Sequence, residues 1–333
     1  MNSRNGSDAA WPRDVTRISH LTCTAFPQPP PRRPQALRTP QTPVVGTPRP
    51  AAVLRGIAAV RSGRVFTLQT PVGVAERDPV TPSRHSARRT QVADASSWRE
   101  GERDELPGGA RFADDFLEIF LQGTTQYDAL GHAWYDEEIY NGHSEEVSIG
   151  GLRRCSVLPI AERGVVGRGV LLDMARFAGK AVLDKHDTFS HDDLLACARD
   201  QGTEIARRDI LVVRTGVIGS YFHRDPAEFY ADFAEPGLVY SRELVEWFHE
   251  REIPSLVTDT MGNEVTFDPA TGFKLLLHCA LMRNLGIAMG ELALLDELAA
   301  DCARDGQYTF LYVAAPLKIA QASGSPVNPV VIK

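Results

Sequence analysis

A chain of 333 residues with 43% apolar content has enough material to bury a substantial core, as one large domain or two modest ones. Its formal charge of −7 is unevenly spread, because residues 1–100 hold fifteen Arg, no Lys and six acids, or +9, which leaves −16 on the rest. An acidic body argues against nucleic acid as a main partner, and without a run of about 18 apolar residues no membrane-spanning helix is expected.

Cys23, Cys155, Cys197, Cys279 and Cys302 stand singly, without CxxC pairs, and read as buried reduced thiols of a cytoplasmic protein. The N-terminus lacks the apolar core of a secretory signal. Its ten prolines in the first fifty residues, densest in "PQPPPRRPQALRTPQTPVVGTPRP", predict a disordered or extended arm over 1–50.

Order is expected to begin at Ala51. Leu54, Ile57, Ala58 and Val60 recur at helical spacing up to Gly63, and "RVFTLQTPV" then alternates like a strand. Residues 73–110 are polar and rich in Gly, Pro and Ser, which predicts a long loop. Further on, "GVVGRGVLLDM", "DILVVRTGV" and "IPSLVTDT" read as strands. Between them lie a helix capped by Ser190, with Asp193 three residues in and Gly202 past its end, and a helix capped by Ser241. Strands alternating with helices predict one α/β domain over 51–333 with a largely buried, mixed sheet.

Chemistry concentrates in "QGTTQYDALGHAWYDEEIYNG", which begins at Gln122. If this were a strand, positions 122, 124, 126 and 128 would face one side, with His132 at the following turn. A second cluster lies in "FKLLLHCALMRNLGIAMGE". Phe273 to Asn284 reads as a helix, Gly286 as its left-handed stop and "IAMGE" as a returning strand. His278 then lies roughly 10 Å down the helix at ~1.5 Å per residue. Glu291 returns by roughly 13 Å at ~3.3 Å per strand residue, so the two side chains can meet at one level. Taken singly, each has a plainer reading: a buried His is usually a hydrogen-bonded core residue, and Glu291 could open the next helix.

Together these residues carry a resemblance. Gln122 to His132 resembles the His-x-Gly-Thr-His-x-Asp-Ala-x-x-His signature of the cyclase-type metal-dependent hydrolases, the superfamily of bacterial kynurenine formamidase and isatin hydrolase. The blocks quoted above, with the closing "FLYVAAPLKIAQASGSPVNPVVI", resemble family segments in family order over roughly residues 51 to 333. The glutamines in place of two histidines are similar to a branch containing trans-dienelactone hydrolase. The resemblance implies a single swivelling β/β/α-type domain, metal ligands at Gln122, Gln126, Asp128, His278 and Glu291, and His132 as the catalytic general acid/base. A glutamine carbonyl is a weaker, harder ligand than imidazole, so one Zn²⁺ or Mn²⁺ per subunit is expected where some relatives hold two.

The implied reaction is opening of a cyclic ester or amide by a metal-activated water, a lactone being favoured. Aryl formamide hydrolysis, or a metal-free binding or scaffold role, stands as the alternative. Tyr127, Trp134, Tyr140 and Asp259 are candidate walls of a pocket for a small cyclic or aromatic substrate. A homodimer or homotetramer is implied by resemblance alone, with no nucleic acid and no membrane partner. His143, His186, His191, His223 and His249 lie in polar contexts and read as surface residues.

Overall fold

The computed structural model describes residues 50–74, 78–79, 81 and 83–333, so the arm expected over 1–50 lies outside the described residues except for Pro50. Pro50 opens the first helix, Pro50–Ala58, where its missing N–H costs nothing. The helical spacing is realised, but the buried face is the small-residue one. Ala52 and Gly56 face inward, while Leu54 and Ile57 are 63% and 53% exposed. Gly56 sits so close to the sheet that an added Cβ would lie 2.7 Å from the carbonyl carbon of Gly167.

Nine strands build the sheet: β1 (Val65–Thr67), β2 (Gln126–Asp128), β3 (Val165–Asp173), β4 (Ile210–Arg214), β5 (Ser255–Thr258), β6 (Ala288–Glu291), β7 (Thr309–Ala314), β8 (Gly324–Pro326) and β9 (Val330–Ile332). Their order is β1-β9-β7-β3-β4-β5-β6-β2-β8. The central four, β3 to β6, run parallel, and every other pairing is antiparallel. Parallel strands need cover on both faces, and the buried runs Val170–Leu171–Leu172, Leu211–Val212–Val213 and Leu256–Val257 supply the apolar surface for it. The covering helices start where the sequence says. Ser190 and Asp193 form a reciprocal capping box on His191–Asp200, and Ser241 accepts from the Leu244 N–H at the head of Arg242–Glu250.

Three expectations need correction. Residues 73–110 are not one loop: Arg88–Ala93 pairs with Asp114–Glu118 as an exposed two-stranded ribbon, and Ala95–Arg99 is a short helix boxed by Asp94 and Ser97. A ribbon with both faces in solvent has no apolar alternation to betray it. The early motif is a strand only over Gln126–Asp128; residues 122–125 form a turn, with the Thr124 hydroxyl 2.9 Å from that of Thr70. The late unit is α-helical only over Leu276–His278 and continues as a π-helix over Cys279–Leu285.

Gly286 is the predicted left-handed stop, at φ 70°. It does a second job, because the Tyr140 ring lies where its side chain would be, with ring carbons 2.6 and 2.7 Å from an ideal Cβ. Tyr140, expected as a pocket wall, is 7% exposed and packed in the core at this turn, and it lines a small cavity with Leu130, His143 and Cys155. Gly286→Ala adds backbone strain and a clash, and is expected to cost about 2–4 kcal/mol. Chemical denaturation checks this, and an unchanged midpoint would contradict it.

Candidate metal centre

Strand β2 lies antiparallel between β6 and β8, with Gln126 opposite Glu291 and Asp128 opposite Gly324. Alternation sends Gln126 and Asp128 to one face and Tyr127 to the other. Tyr127 is therefore no pocket wall: it is fully buried in the core, its hydroxyl 3.0 Å from Ser255 Oγ and 3.1 Å from Tyr312 Oη. Glycine at 324 leaves room for both site side chains, since a Cβ would come within 2.6 Å of Gln122 Nε2 and 3.1 Å of Asp128 Oδ1 and push the glutamine amide aside.

On the other face the two distant clusters meet. His278 Nε2 lies 3.0 Å from Glu291 Oε1 and 3.7 Å from Asp128 Oδ2, and one ligand atom from each of the three residues falls within 4.8 Å of the others. His132 Nε2 also lies 3.7 Å from Asp128 Oδ2, its side chain 27% exposed while the aspartate is fully buried. Gln126 Nε2 donates to Glu291 Oε2 at 2.5 Å, and Gln122 Nε2 to Ser323 Oγ at 3.1 Å. Thus Gln126 borders the trio through Glu291, while Gln122 Nε2 flanks the same Gly324 position as Asp128 Oδ1.

Two supports were invisible in the sequence. Glu264 accepts the Leu277 and His278 backbone N–H groups at 2.8 Å each, and its Oε1 faces His278 Nδ1 at 3.3 Å in a charge contact. It therefore starts the helix and orients the imidazole at once. Asn263 donates to Gly290 O at 3.2 Å and reaches Glu291 Oε1 at 3.5 Å. The only sequence hint was "GNE" directly after a strand end.

Backbone geometry is also unusual at the two ends of the late unit. Leu275 and Leu292, both non-glycine, sit at φ 59° and 55°. The strained Leu292 is held by its N–H to Thr260 O at 3.1 Å and by Thr125 Oγ1 to its carbonyl at 2.6 Å.

Do these residues fit a cation? Among the described residues Gln126 Oε1, both Asp128 carboxylate oxygens and Asn263 Oδ1 are buried without a hydrogen-bond partner. At about 1–3 kcal/mol for each unmade bond, that loss would rival the ~5–15 kcal/mol stability of a whole domain. A satisfied core histidine needs no such ring of bare acceptors. One imidazole and two carboxylates are donors that suit Zn²⁺ or Mn²⁺, and the residues present fit such an ion.

Electrostatics agree. Burial opposes charge on His278, but the facing carboxylates of Asp128, Glu264 and Glu291 outweigh this and raise its pKa well above the usual histidine range. Burial, then the Asp128 charge, pushes Glu291 up to about 7. Burial also opposes ionisation of Asp128, yet the charges of His132 and His278 pull its pKa below the ordinary value.

Of the other expected pocket residues, Asp259 is engaged elsewhere. Its carboxylate accepts from Thr215 N, Thr215 Oγ1 and Gly216 N, which ties the ends of β4 and β5 together, while burial pushes its pKa up to about 6. Trp134 is half-buried and donates its indole N–H to Glu145 Oε2 at 2.6 Å, just past His132. His186, His223 and His249 are exposed as expected, and His143 and His191 half-buried.

A large mixed sheet flanked by helices, with Asp, His and Glu brought together beside its β6–β2–β8 end, defines the class of α/β protein. The Cyclase family model matches residues 40–265, and the chain belongs to that family. It is similar to a solved structure described as a novel cyclase, at 32% identity and TM-score 0.77 over 87% of this chain and 93% of that one. Isatin hydrolase A from Ralstonia solanacearum shares the fold at 20% identity and TM-score 0.58, over 86% of this chain and 97% of the other. An isatin hydrolase bound to the product analogue thioisatinate does so at 18% and 0.57, over 85% and 98%. No curated protein matches the chain significantly.

Because His278 and Glu291 both hold protons tightly and an ion requires both bare, metal affinity should rise with pH through about 7, with protons released on binding. Calorimetry in buffers of different ionisation enthalpy reads this directly. Zinc affinity independent of pH across neutrality would contradict it.

Proposed function

We propose that this protein is a metal-dependent hydrolase that opens a cyclic ester or cyclic amide, with a lactone favoured over an aryl formamide. The observation that carries the reading is the convergence of Asp128, His278 and Glu291 amid bare buried acceptor oxygens. The shared fold with isatin hydrolases supports the ring-opening class, since isatin is itself a cyclic amide.

Asp128, His278 and Glu291 would hold a divalent ion, which would supply Lewis acidity and activate water there. The chain does the rest. Asp128 presents acceptor oxygens that no backbone group occupies, and Glu264 fixes which imidazole nitrogen faces the trio. Gln126 clamps Glu291 through its amide N–H, and its buried carbonyl oxygen, without a partner among the described residues, would be a weak further ligand. Gln122, steadied by Ser323, orients the substrate.

His132 is the general acid/base. Its Nε2 touches the centre at Asp128 while more than a quarter of its side chain remains open, so the ring can accept a proton there and release it to the leaving oxygen or nitrogen. The buried surroundings keep bulk water from competing for the carbonyl.

The test is a panel of dienelactones, other lactones, cyclic amides and N-formyl arylamines with added Zn²⁺ or Mn²⁺. At least one cyclic substrate should turn over, and His132→Ala should lower kcat by about 10²–10⁴-fold while retaining the metal. Uniform inactivity of the metal-loaded protein would instead favour a binding role.

A further inference from the structure

The Asp78 carboxylate, 3% exposed, accepts from Gly73 N at 2.9 Å and Ala87 N at 2.6 Å, which ties these two backbone positions to one side chain. The Asp78 carbonyl accepts from the Tyr221 hydroxyl at 3.0 Å, so this anchor is pinned to a cluster of aromatic rings. Three residues before Ala87, Arg84, half-buried, donates through Nη1 to Gln122 O at 2.6 Å. Arg84 is thus held against the first residue of the motif, and its charge reaches Asp128, Glu291 and Tyr230.

Tyr230 is the second anomaly. Its ring packs with Tyr221, Phe229 and Phe233 at centroid distances of 6.0, 5.1 and 5.5 Å. Its hydroxyl is buried and, among the described residues, has no hydrogen-bond partner. The same aromatic cluster packs against Leu292, the residue after Glu291. A phenol that keeps its proton and lacks an acceptor is a donor waiting for a ligand.

The two donors themselves say what ligand. Arg84 brings a fixed positive charge against Gln122, and Tyr230 a buried hydroxyl that has no acceptor among the described residues. A guanidinium with donors to spare is the side chain best matched to a carboxylate.

We propose that Arg84 and Tyr230 form an anion subsite beside the trio, selecting cyclic substrates that carry a carboxylate remote from the scissile carbonyl. This rests on the hydrolytic reading above for its substrate, but not for its ligand.

Two measurements separate the claims. In the metal-loaded protein, the ratio of kcat/KM for a dienelactone, which bears such a carboxylate, over that for its methyl ester should fall about 30- to 100-fold in Arg84→Gln, chiefly through KM. Arg84→Lys should restore part of it, with melting unchanged in both. Independently of turnover, the best-bound of the three benzenedicarboxylates should bind wild type at least about 10-fold more tightly than benzoate, and Arg84→Gln or Tyr230→Phe should shrink that margin. An unchanged ratio, or a dicarboxylate margin that is absent or survives Arg84→Gln, overturns the subsite. Inactivity on both esters with an intact, Arg84-dependent margin would sink the hydrolytic reading and leave the subsite standing.

Discussion

The structure turns on a conflict between buried charges: Asp128 and Glu291 are both buried, and they share one imidazole. Coulomb repulsion between neighbouring buried carboxylates amounts to several kcal/mol even at an effective dielectric constant of about 20. Glutamine at 126 relieves part of it by donating to Glu291, yet leaves its own carbonyl and the whole Asp128 carboxylate bare. A positive ion would satisfy these groups at once. Gln126 meanwhile steadies the trio as a hydrogen-bond donor to Glu291.

The fold is arranged to sustain that conflict. Antiparallel β2 is inserted beside β6 so that residues 165 apart in sequence stand side by side. Glycine at 324 lets β8 close against the Asp128 side, and the turn at Gly286, filled by the Tyr140 ring, fixes how His278 and Glu291 return to one level. Left-handed leucines at 275 and 292 bracket this unit. Strain at these points is tolerable because the surrounding parallel strands are packed on both faces and hydrogen-bonded on both edges.

Much of this was legible in the sequence where regular periods carried the information. Step lengths along a helix and a strand were enough to bring His278 and Glu291 together across Gly286, and the caps at Ser190 and Ser241 marked real helix starts. Alternation also contained a warning that the aromatic reading passed over: if 126 and 128 face the centre, 127 faces away, and Tyr127 does. What stayed hidden came from irregular backbone. Glu264, Asn263 and Arg84 act from turns and loops, where no period ties a residue to a direction. The π-helical winding of Cys279–Leu285 and the outward face of the first helix depend on tertiary packing, which local composition does not encode.

Anomalous diffraction from crystals grown with stoichiometric zinc or manganese puts the central claim most directly at risk. The account predicts one strong peak per chain within about 2.0–2.3 Å of Asp128, His278 and Glu291 donor atoms, lost in Asp128→Ala crystals of the same fold. A peak bound elsewhere, or an ordered trio with no peak at all, would contradict it.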